Sequence, residues 1–312
     1  MYLAADIGAT NARFQLGDLA GLQGPGWSAN SADYANFAEL LDAACQALDA
    51  GELQGAVLAV AGPVNEQGVC QMTNVGLEIS AVESQKQLKC PVRVINDFYA
   101  QAASLPYLKQ LLQIGGGAVL DETKVVVGPG SGLGVATLVR VDDAWQAISG
   151  EGGHADFAPA SHLETELWQI LVLEHGHVSW ETVLSGPGLV NLYRAMCATW
   201  GQPPEELNAS DIAARGVEMA DLVCHQTLET FAALLGGLAG NLALTLNAQG
   251  GVYIGGGIAP RLKEFLPASP LRRRFEEKGA MSKLVADIPL LVITEDNPGL
   301  VGARACFAHL AV

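Results

Sequence analysis

Tyr2-Leu3-Ala4-Ala5-Asp6-Ile7-Gly8-Ala9-Thr10-Asn11-Ala12-Arg13-Phe14-Gln15-Leu16 reads as a strand, a small-residue turn and a second strand. Tyr2–Ala5 and Ala12–Leu16 are the apolar arms, and Asp6–Asn11 joins them. The first arm ends in a carboxylate, and Thr10 and Asn11 add side-chain hydrogen-bonding groups to the turn. Exposed N–H groups of such a turn can hold phosphate oxygens, with Asp6 placed to orient water on a Mg²⁺ ion. An ordinary β-hairpin turn uses the same Asp, Gly and Asn residues. On its own the stretch leaves both readings open.

The same unit recurs in the middle of the chain. Lys124–Val127 and Val135–Val141 are apolar arms around Gly128-Pro129-Gly130-Ser131-Gly132-Leu133-Gly134, which holds four glycines in seven residues. A plain hairpin needs one or two, so the surplus points to backbone laid against a ligand, or else to a flexible structural loop. It is not a Walker-type loop, because no Gly-Lys-Ser/Thr follows and the next element has strand character. One strand–turn–strand unit in each half suggests two related halves.

Outward from these turns the pattern is α/β. Tyr34–Leu48 has apolar residues spaced by three and four and predicts a helix, while Gly55–Val60 and Val92–Ile95 are dense apolar runs that suit buried strands. Helical patterns follow at Glu164–Glu174, Gly188–Ala198 and Leu222–Leu246. Gly251–Ile254 and Leu290–Thr294 read as strands, and Gly299–Leu310 as a closing helix. The stretch from Thr230 to Pro260 carries no charged side chain. Its Asn241, Thr245, Asn247 and clustered glycines, with no basic flank, favour a buried core helix over a membrane span.

Composition narrows the partners. The chain has 312 residues with 17 Lys+Arg against 33 Asp+Glu, a net charge of −16. A nucleic-acid binder needs a basic surface, so that class is disfavoured, and an anionic substrate must be met locally by backbone N–H groups, a few cations and Mg²⁺. The six cysteines are scattered with no CxxC pair, as in a reduced cytoplasmic protein. The first residues show neither a basic n-region nor a long apolar segment, so no signal peptide is expected.

Several residues could carry chemistry. Asn96-Asp97 closes the run Val92-Arg93-Val94-Ile95 at the carboxyl end of a strand, where open α/β sheets present ligands. Asp97 there can accept a proton from a substrate hydroxyl during phosphoryl transfer, or it can simply cap a helix beginning at Phe98. Glu151-Gly152-Gly153-His154 and Glu181 offer acceptors for sugar hydroxyls. A metal site at His154 and Asp156 lacks a nearby third ligand and is not expected.

Six segments together resemble the bacterial glucokinase family, from Leu3 to about Leu310. They are Asp6–Arg13, Ile95-Asn96-Asp97-Phe98, Gly130–Gly134, Gly150–Pro159, Glu181-Thr182-Val183-Leu184-Ser185-Gly186-Pro187-Gly188 and Ile254–Ile258. The Gly150–Pro159 and Glu181–Gly188 blocks are the specific ones; the first turn alone would fit many actin-like ATPases. The resemblance implies an α/β, two-lobed actin/hexokinase-like (ribonuclease-H-like) fold whose active site lies in the inter-lobe cleft. It assigns residues 1–106 to a small lobe completed by a C-terminal helix at 299–312, and 107–298 to a large lobe. It also implies ATP-dependent phosphorylation of glucose to glucose 6-phosphate, in a cytoplasmic homodimer without nucleic-acid or membrane partners.

By the same resemblance Asp97 is the general base, and Asn96, Asp97, Glu151, His154 and Glu181 bind glucose. Ala5, Asp6, Ile7, Gly8, Ala9, Thr10 and Asn11, with Gly130, Ser131 and Gly132, form the two phosphate turns, and Gly256 and Gly257 lie on the adenosine side. No protein-held metal is implied beyond Mg²⁺ carried by ATP, with Asp6 reaching it through water. The chain also lacks the Cys-rich zinc segment of the related repressor–kinase family. Ala9 stands where the family more often has glycine, and Gly-Pro-Gly-Ser where Gly-Ala-Gly-Thr is common, so tuned nucleotide affinity is expected. Three alternatives remain: a kinase of mannose, fructose or N-acetylglucosamine, a sugar-responsive regulator, and an actin-like ATPase. The regulator is disfavoured because no helix-turn-helix precedes Asp6 and the charge is wrong for DNA.

Overall fold

The computed structural model describes residues 1–72 and 76–310, so residues 311 and 312 of the expected C-terminal helix lie outside the described part. The chain divides into two compact units. One comprises Met1–Lys109, Val141–Ser149 and Glu295–Val312, and the other Gln110–Arg140 and Gly150–Thr294.

The first unit is built on a five-stranded sheet of order β3-β2-β1-β4-β7. Its strands are β1 (Tyr2–Ile7), β2 (Asn11–Gly17), β3 (Leu22–Asn30), β4 (Gly55–Val60) and β7 (Val92–Asn96), with β5 (Val69–Met72) and β6 (Leu77–Ser80) as a separate hairpin. Side chains alternate across a strand, and β1 and β4 are apolar on both faces. Leu3, Ala5, Ile7, Ala56, Leu58 and Val60 join one buried cluster with Phe37, Leu40 and Leu41 of the helix Phe37–Ala47. Ala4, Val57 and Ala59 join another with Ala100 of the helix Asp97–Ser104 and with Leu300 and Ala303 of the helix Pro298–Ala305. The sheet is thus covered on both sides. The helix expected from Tyr34 begins at Phe37, because Asn36 caps it by accepting from the Glu39 N–H at 3.0 Å. The closing helix is also shorter than expected, ending at Ala305 in a 3₁₀ turn, Cys306–His309.

The second unit carries β8 (Leu111–Gly115), β9 (Lys124–Pro129), β10 (Leu133–Val141), β12 (Val252–Ile254) and β13 (Leu290–Ile293) in the order β10-β9-β12-β13-β8; β11 (Ala144–Gly150) follows β10 in the chain. β9, β12 and β13 run parallel to one another, while β10 pairs antiparallel with β9 and β8 antiparallel with β13. The apolar stretch forms the helix Leu222–Thr245, and 72% of its most apolar window is buried inside the unit. It passes the length and hydropathy test for a membrane span, as core helices do, and its Phe231, Leu234, Leu235 and Leu238 belong to this unit's buried cluster.

Candidate active site

In the first unit, β1 and β2 pair with Ile7 opposite Ala12, and the chain turns through Gly8, Ala9 and Thr10. The Gly8 N–H donates to the Asn11 carbonyl at 2.9 Å and closes the turn. A second brace comes from far along the chain. Fully buried Ser31 donates its hydroxyl to the Gly8 carbonyl at 2.9 Å and its N–H to the Thr10 carbonyl at 3.1 Å. The Gly8 and Thr10 carbonyls of the turn are therefore both occupied. Asp6 stands on β1 opposite Arg13, whose guanidinium lies 3.9 Å from its carboxylate. The helix Pro298–Ala305 packs Gly299 directly against the same carboxylate, where a β-carbon would come within 2.6 Å of it.

Asp97 reaches the same edge of the sheet by a short route. β1, β4 and β7 are adjacent and parallel, with Ile7 opposite Val60 and Val60 opposite Asn96. Two strand spacings then put the ends of β1 and β7 about 10 Å apart. The helix after β7 is capped by Asn96, not by Asp97: the Asn96 Oδ1 accepts from the N–H groups of Phe98 (2.9 Å) and Tyr99 (3.2 Å). Its amide donates to the Gly62 carbonyl at 3.1 Å and to Asp97 Oδ1 at 3.0 Å, so every hydrogen-bonding group of the Asn96 side chain is engaged inside the chain. The Phe98 N–H also reaches Asp97 Oδ1, at 3.0 Å. One carboxylate oxygen is thereby fixed, and Oδ2 takes no part in these bonds.

Burial pushes the Asp97 carboxyl up to about 7, and the nearby Asp6 adds to this, while the hydrogen bonds from Phe98 and Asn96 pull the other way. Burial also raises Asp6, against the pull of Arg13. No cation pairs with Asp97 among the described residues. Burial thus makes both carboxyls reluctant to ionise, Asp6 despite the Arg13 guanidinium beside it.

The second unit assembles its candidate residues around one turn. β9 and β10 pair with Pro129 opposite Leu133, and Gly130–Gly132 makes the bend, closed by the Gly130 N–H to the Gly132 carbonyl at 2.7 Å. This is tighter than the Gly128–Gly134 turn expected from the sequence, since Gly128 and Gly134 already belong to the strands. Two distant segments buckle onto it. From one, the Gly186 N–H donates to the Gly130 carbonyl at 2.8 Å, and Glu181 Oε2 accepts the Leu133 N–H at 2.7 Å. From the other, the Ile258 N–H donates to the Pro129 carbonyl at 3.1 Å. There Gly256, at φ +74, lies so close to the Pro129 carbonyl that a side chain would have no room.

Glu151, His154 and Glu181 are brought together by short strand-like contacts. The Phe157 N–H donates to Val178 and the Trp180 N–H to Ala155, at 2.9 and 3.0 Å, and the Phe157 and Trp180 rings pack 5.1 Å apart. Glu181 sits in the one-turn helix Trp180–Val183, held by the reciprocal Ser179–Thr182 capping box. His154, on the 3₁₀ turn Gly152–His154, has Nε2 3.9 Å from Glu151 Oε2 and Nδ1 4.0 Å from Glu181 Oε1. Side-chain exposure falls from 77% for Glu151 through 60% for His154 to 32% for Glu181, which makes Glu181 the shielded member.

The structure thus groups Ala5–Asn11 with Asn96 and Asp97 in one unit, and Gly130–Gly132, Glu151, His154, Glu181, Gly256 and Gly257 in the other. Ser31, Gly299 and the backbone donors Leu133 and Gly186 are supports that the sequence reading did not single out. Each acts across a long stretch of chain and leaves no local periodic trace.

The Glucokinase family model matches residues 3–310. A glucokinase of Chromobacterium violaceum is 43% identical over 99% of this chain and 90% of its own length. One of Escherichia fergusonii is 42% identical over 97% of this chain and 95% of its own. Among solved structures, the glucokinase from an Antarctic psychrotroph superposes with a TM-score of 0.89 at 37% identity, over 99% of this chain and 98% of that one. Its actin/hexokinase-like α/β architecture is that of the present chain. The chain belongs to the glucokinase family of sugar kinases.

Proposed function

We propose that the chain transfers the γ-phosphoryl group of ATP to the 6-hydroxyl of glucose, with Asp97 as the general base. The observation that carries this reading is Asp97 itself. One of its oxygens is fixed by Asn96 and Phe98, and burial pushes its carboxyl up to about 7. A base with that affinity for protons can take one from an alcohol as its bond to phosphorus forms. The roughly 10 Å from Asp97's strand to the first turn leaves room for a hydroxyl and a phosphoryl group in line.

Phosphoryl transfer asks little covalent chemistry of the protein, so the residues act by position. The free N–H groups of the Gly8–Thr10 and Gly130–Gly132 turns hold phosphate oxygens, with Ala5–Asn11 framing the first, and Gly256 and Gly257 border the adenosine. Glu151, His154 and Glu181 accept hydrogen bonds from sugar hydroxyls. Asn96 acts chiefly by orienting Asp97, since a direct sugar contact must displace one of its internal bonds.

Mg²⁺ fits here as the companion of the nucleotide. No group of three or more His, Cys, Asp or Glu residues forms a metal cage among the described residues, while the electron-rich pair Asp6 and Asp97 would gain from a nearby cation. When bound, the ion neutralises phosphate charge, and Asp6 is the residue placed to reach it through water. The lobe division at residue 106, with the C-terminal helix returned to the first lobe, the homodimer and the cytoplasmic location are parts of the same proposal.

The test is a coupled ADP-release assay with glucose, mannose, fructose and N-acetylglucosamine, and with other phosphoryl donors replacing ATP. Glucose-dependent ADP release at the highest kcat/KM is expected. Preference for another hexose would move the substrate assignment, and release without sugar would sink the kinase reading. Light scattering of the purified protein checks the dimer.

A further inference from the structure

The carboxylate of Glu181 faces two ways. Its Oε2 accepts the Leu133 N–H at 2.7 Å and so fastens the first residue of β10 behind the Gly130–Gly132 turn. Its Oε1 is the oxygen turned toward His154, 4.0 Å away, among the groups proposed to read the sugar. The approach to the turn is close: a β-carbon on Gly132 would sit 2.5 Å from Oε2 and 3.3 Å from Cδ. The same segment grips the turn again through Gly186 N–H and the Gly130 carbonyl. Its own geometry is fixed by Ser185, whose hydroxyl donates to the Glu181 carbonyl at 2.9 Å and accepts the Gly188 N–H at 2.9 Å.

We propose that Glu181 is a positioning residue for the phosphate turn as well as a sugar ligand, so that Gly132 sets sugar affinity from within the nucleotide site. This rests on the proposed roles of Glu181 and of the Gly130–Gly132 turn. A carboxylate shared by a backbone N–H and a sugar hydroxyl transmits its position from one ligand to the other. Sugar binding fixes the oxygen pair and with it the Leu133 amide, and any change that displaces the pair is felt on both sides. Coupling of this kind is reciprocal. Gly132 is therefore small because of the sugar ligand packed on it, and not because of its own backbone angle, which lies outside the left-handed region. Gly130 is the contrast within the same turn, since a β-carbon there meets nothing closer than 3.8 Å.

The experiment measures glucose affinity by calorimetry in the absence of nucleotide, for the full chain and for G132A and G130A. Losing or bending a charge-assisted hydrogen bond is expected to weaken glucose binding by G132A about tenfold or more, with G130A within about twofold of the parent. Unchanged glucose affinity in G132A, or equal losses in both variants, overturns the proposal. A second arm reads the coupling from the other side, as ADP affinity without sugar. Glu181→Gln keeps an oxygen that can accept the Leu133 N–H and should hold ADP as the parent does, whereas Glu181→Ala should bind it several-fold more weakly. Equal ADP affinity in all three proteins overturns the proposal even if a variant at Gly132 does not fold. If the parent itself shows no glucose-dependent ADP release, the functional reading falls instead, and the ADP arm still reports on the turn.

Discussion

The two glycine turns proposed to hold phosphate rest on very different supports. Gly8–Thr10 is steadied by the neutral hydroxyl and backbone N–H of Ser31 and by a single internal bond. Gly130–Gly132 is gripped by a carboxylate and a backbone N–H of one segment, Glu181 and Gly186, and by the Ile258 N–H of another. The first turn needs only Gly8, because Ser31 reaches its carbonyls from one side, and Ala9 fits. Around the second, Gly256 and Gly132 each lie where another segment takes the space of a β-carbon. Within the second motif it is Gly132 whose β-carbon space another segment takes, while Gly130 has room for one. The carboxylates are divided in the same way: the first unit holds Asp97, the proposed base, whose carboxyl is raised, and the second holds Glu181, whose Oε2 is engaged by the Leu133 N–H.

The largest break in this comparison is at the base. Asp97→Ala should lower kcat at least ~10³-fold, about 4 kcal/mol of barrier, while glucose still binds. Steady-state kinetics beside calorimetry separates the two effects, and near-normal turnover would remove Asp97 from its role. Next in size is the support of the first turn. Ser31→Ala leaves the Gly8 carbonyl without its partner, worth about 1–2 kcal/mol, so KM for ATP should rise roughly tenfold with KM for glucose little changed. If both constants rise alike, Ser31 is a general packing residue and the division of labour between the turns is blurred.

What the sequence made legible was what repeats locally. The alternating apolar strands around Asp6 and Gly130, the Asn96-Asp97 strand end and the buried helix at Leu222–Thr245 all announce themselves within a few residues. The choice between capping and chemistry at Asp97 could not be read that way, because both call for an acidic residue after a strand. In the structure the cap is made by Asn96 Oδ1, which accepts from the Phe98 and Tyr99 N–H groups and leaves Asp97 available for the proposed chemistry. The supports were invisible for a different reason. Ser31 lies 23 residues from Gly8, and Glu181 lies 48 from Leu133. No periodicity marks a serine or glutamate whose partner is a backbone group that distant. The Glu181–Gly188 block was legible as a family signature; its physical cause, two clasps on one turn, was not.

Smaller effects sharpen the account of Asp97. Its carboxyl must be ionised to accept a proton, so kcat/KM should fall as pH drops below about 7. Asn96→Ala removes a hydrogen bond that favours the ionised form, so this limb should move to higher pH; a limb that stays put would deny Asn96 its hold on the base.

The smallest expected effect is on stability, and its sign is the informative part. The Asp97 carboxyl has a folded value of about 7 against an ordinary value of 3.8, so between those limits the folded chain binds more protons than the unfolded one. The stability linked to this group is complete below the lower value and is lost as pH rises through about 7. Asp97→Asn is neutral at every pH and escapes that loss. Its Tm should exceed the parent's by about 2–5 °C at pH 8, with the difference shrinking toward pH 4. No comparable gain is expected from Glu181→Gln, because that carboxylate is already satisfied by the Leu133 N–H. A parent that melts higher than Asp97→Asn at pH 8 would mean the Asp97 carboxylate is stabilised in place. It would then lack the affinity for protons that its role as a base requires.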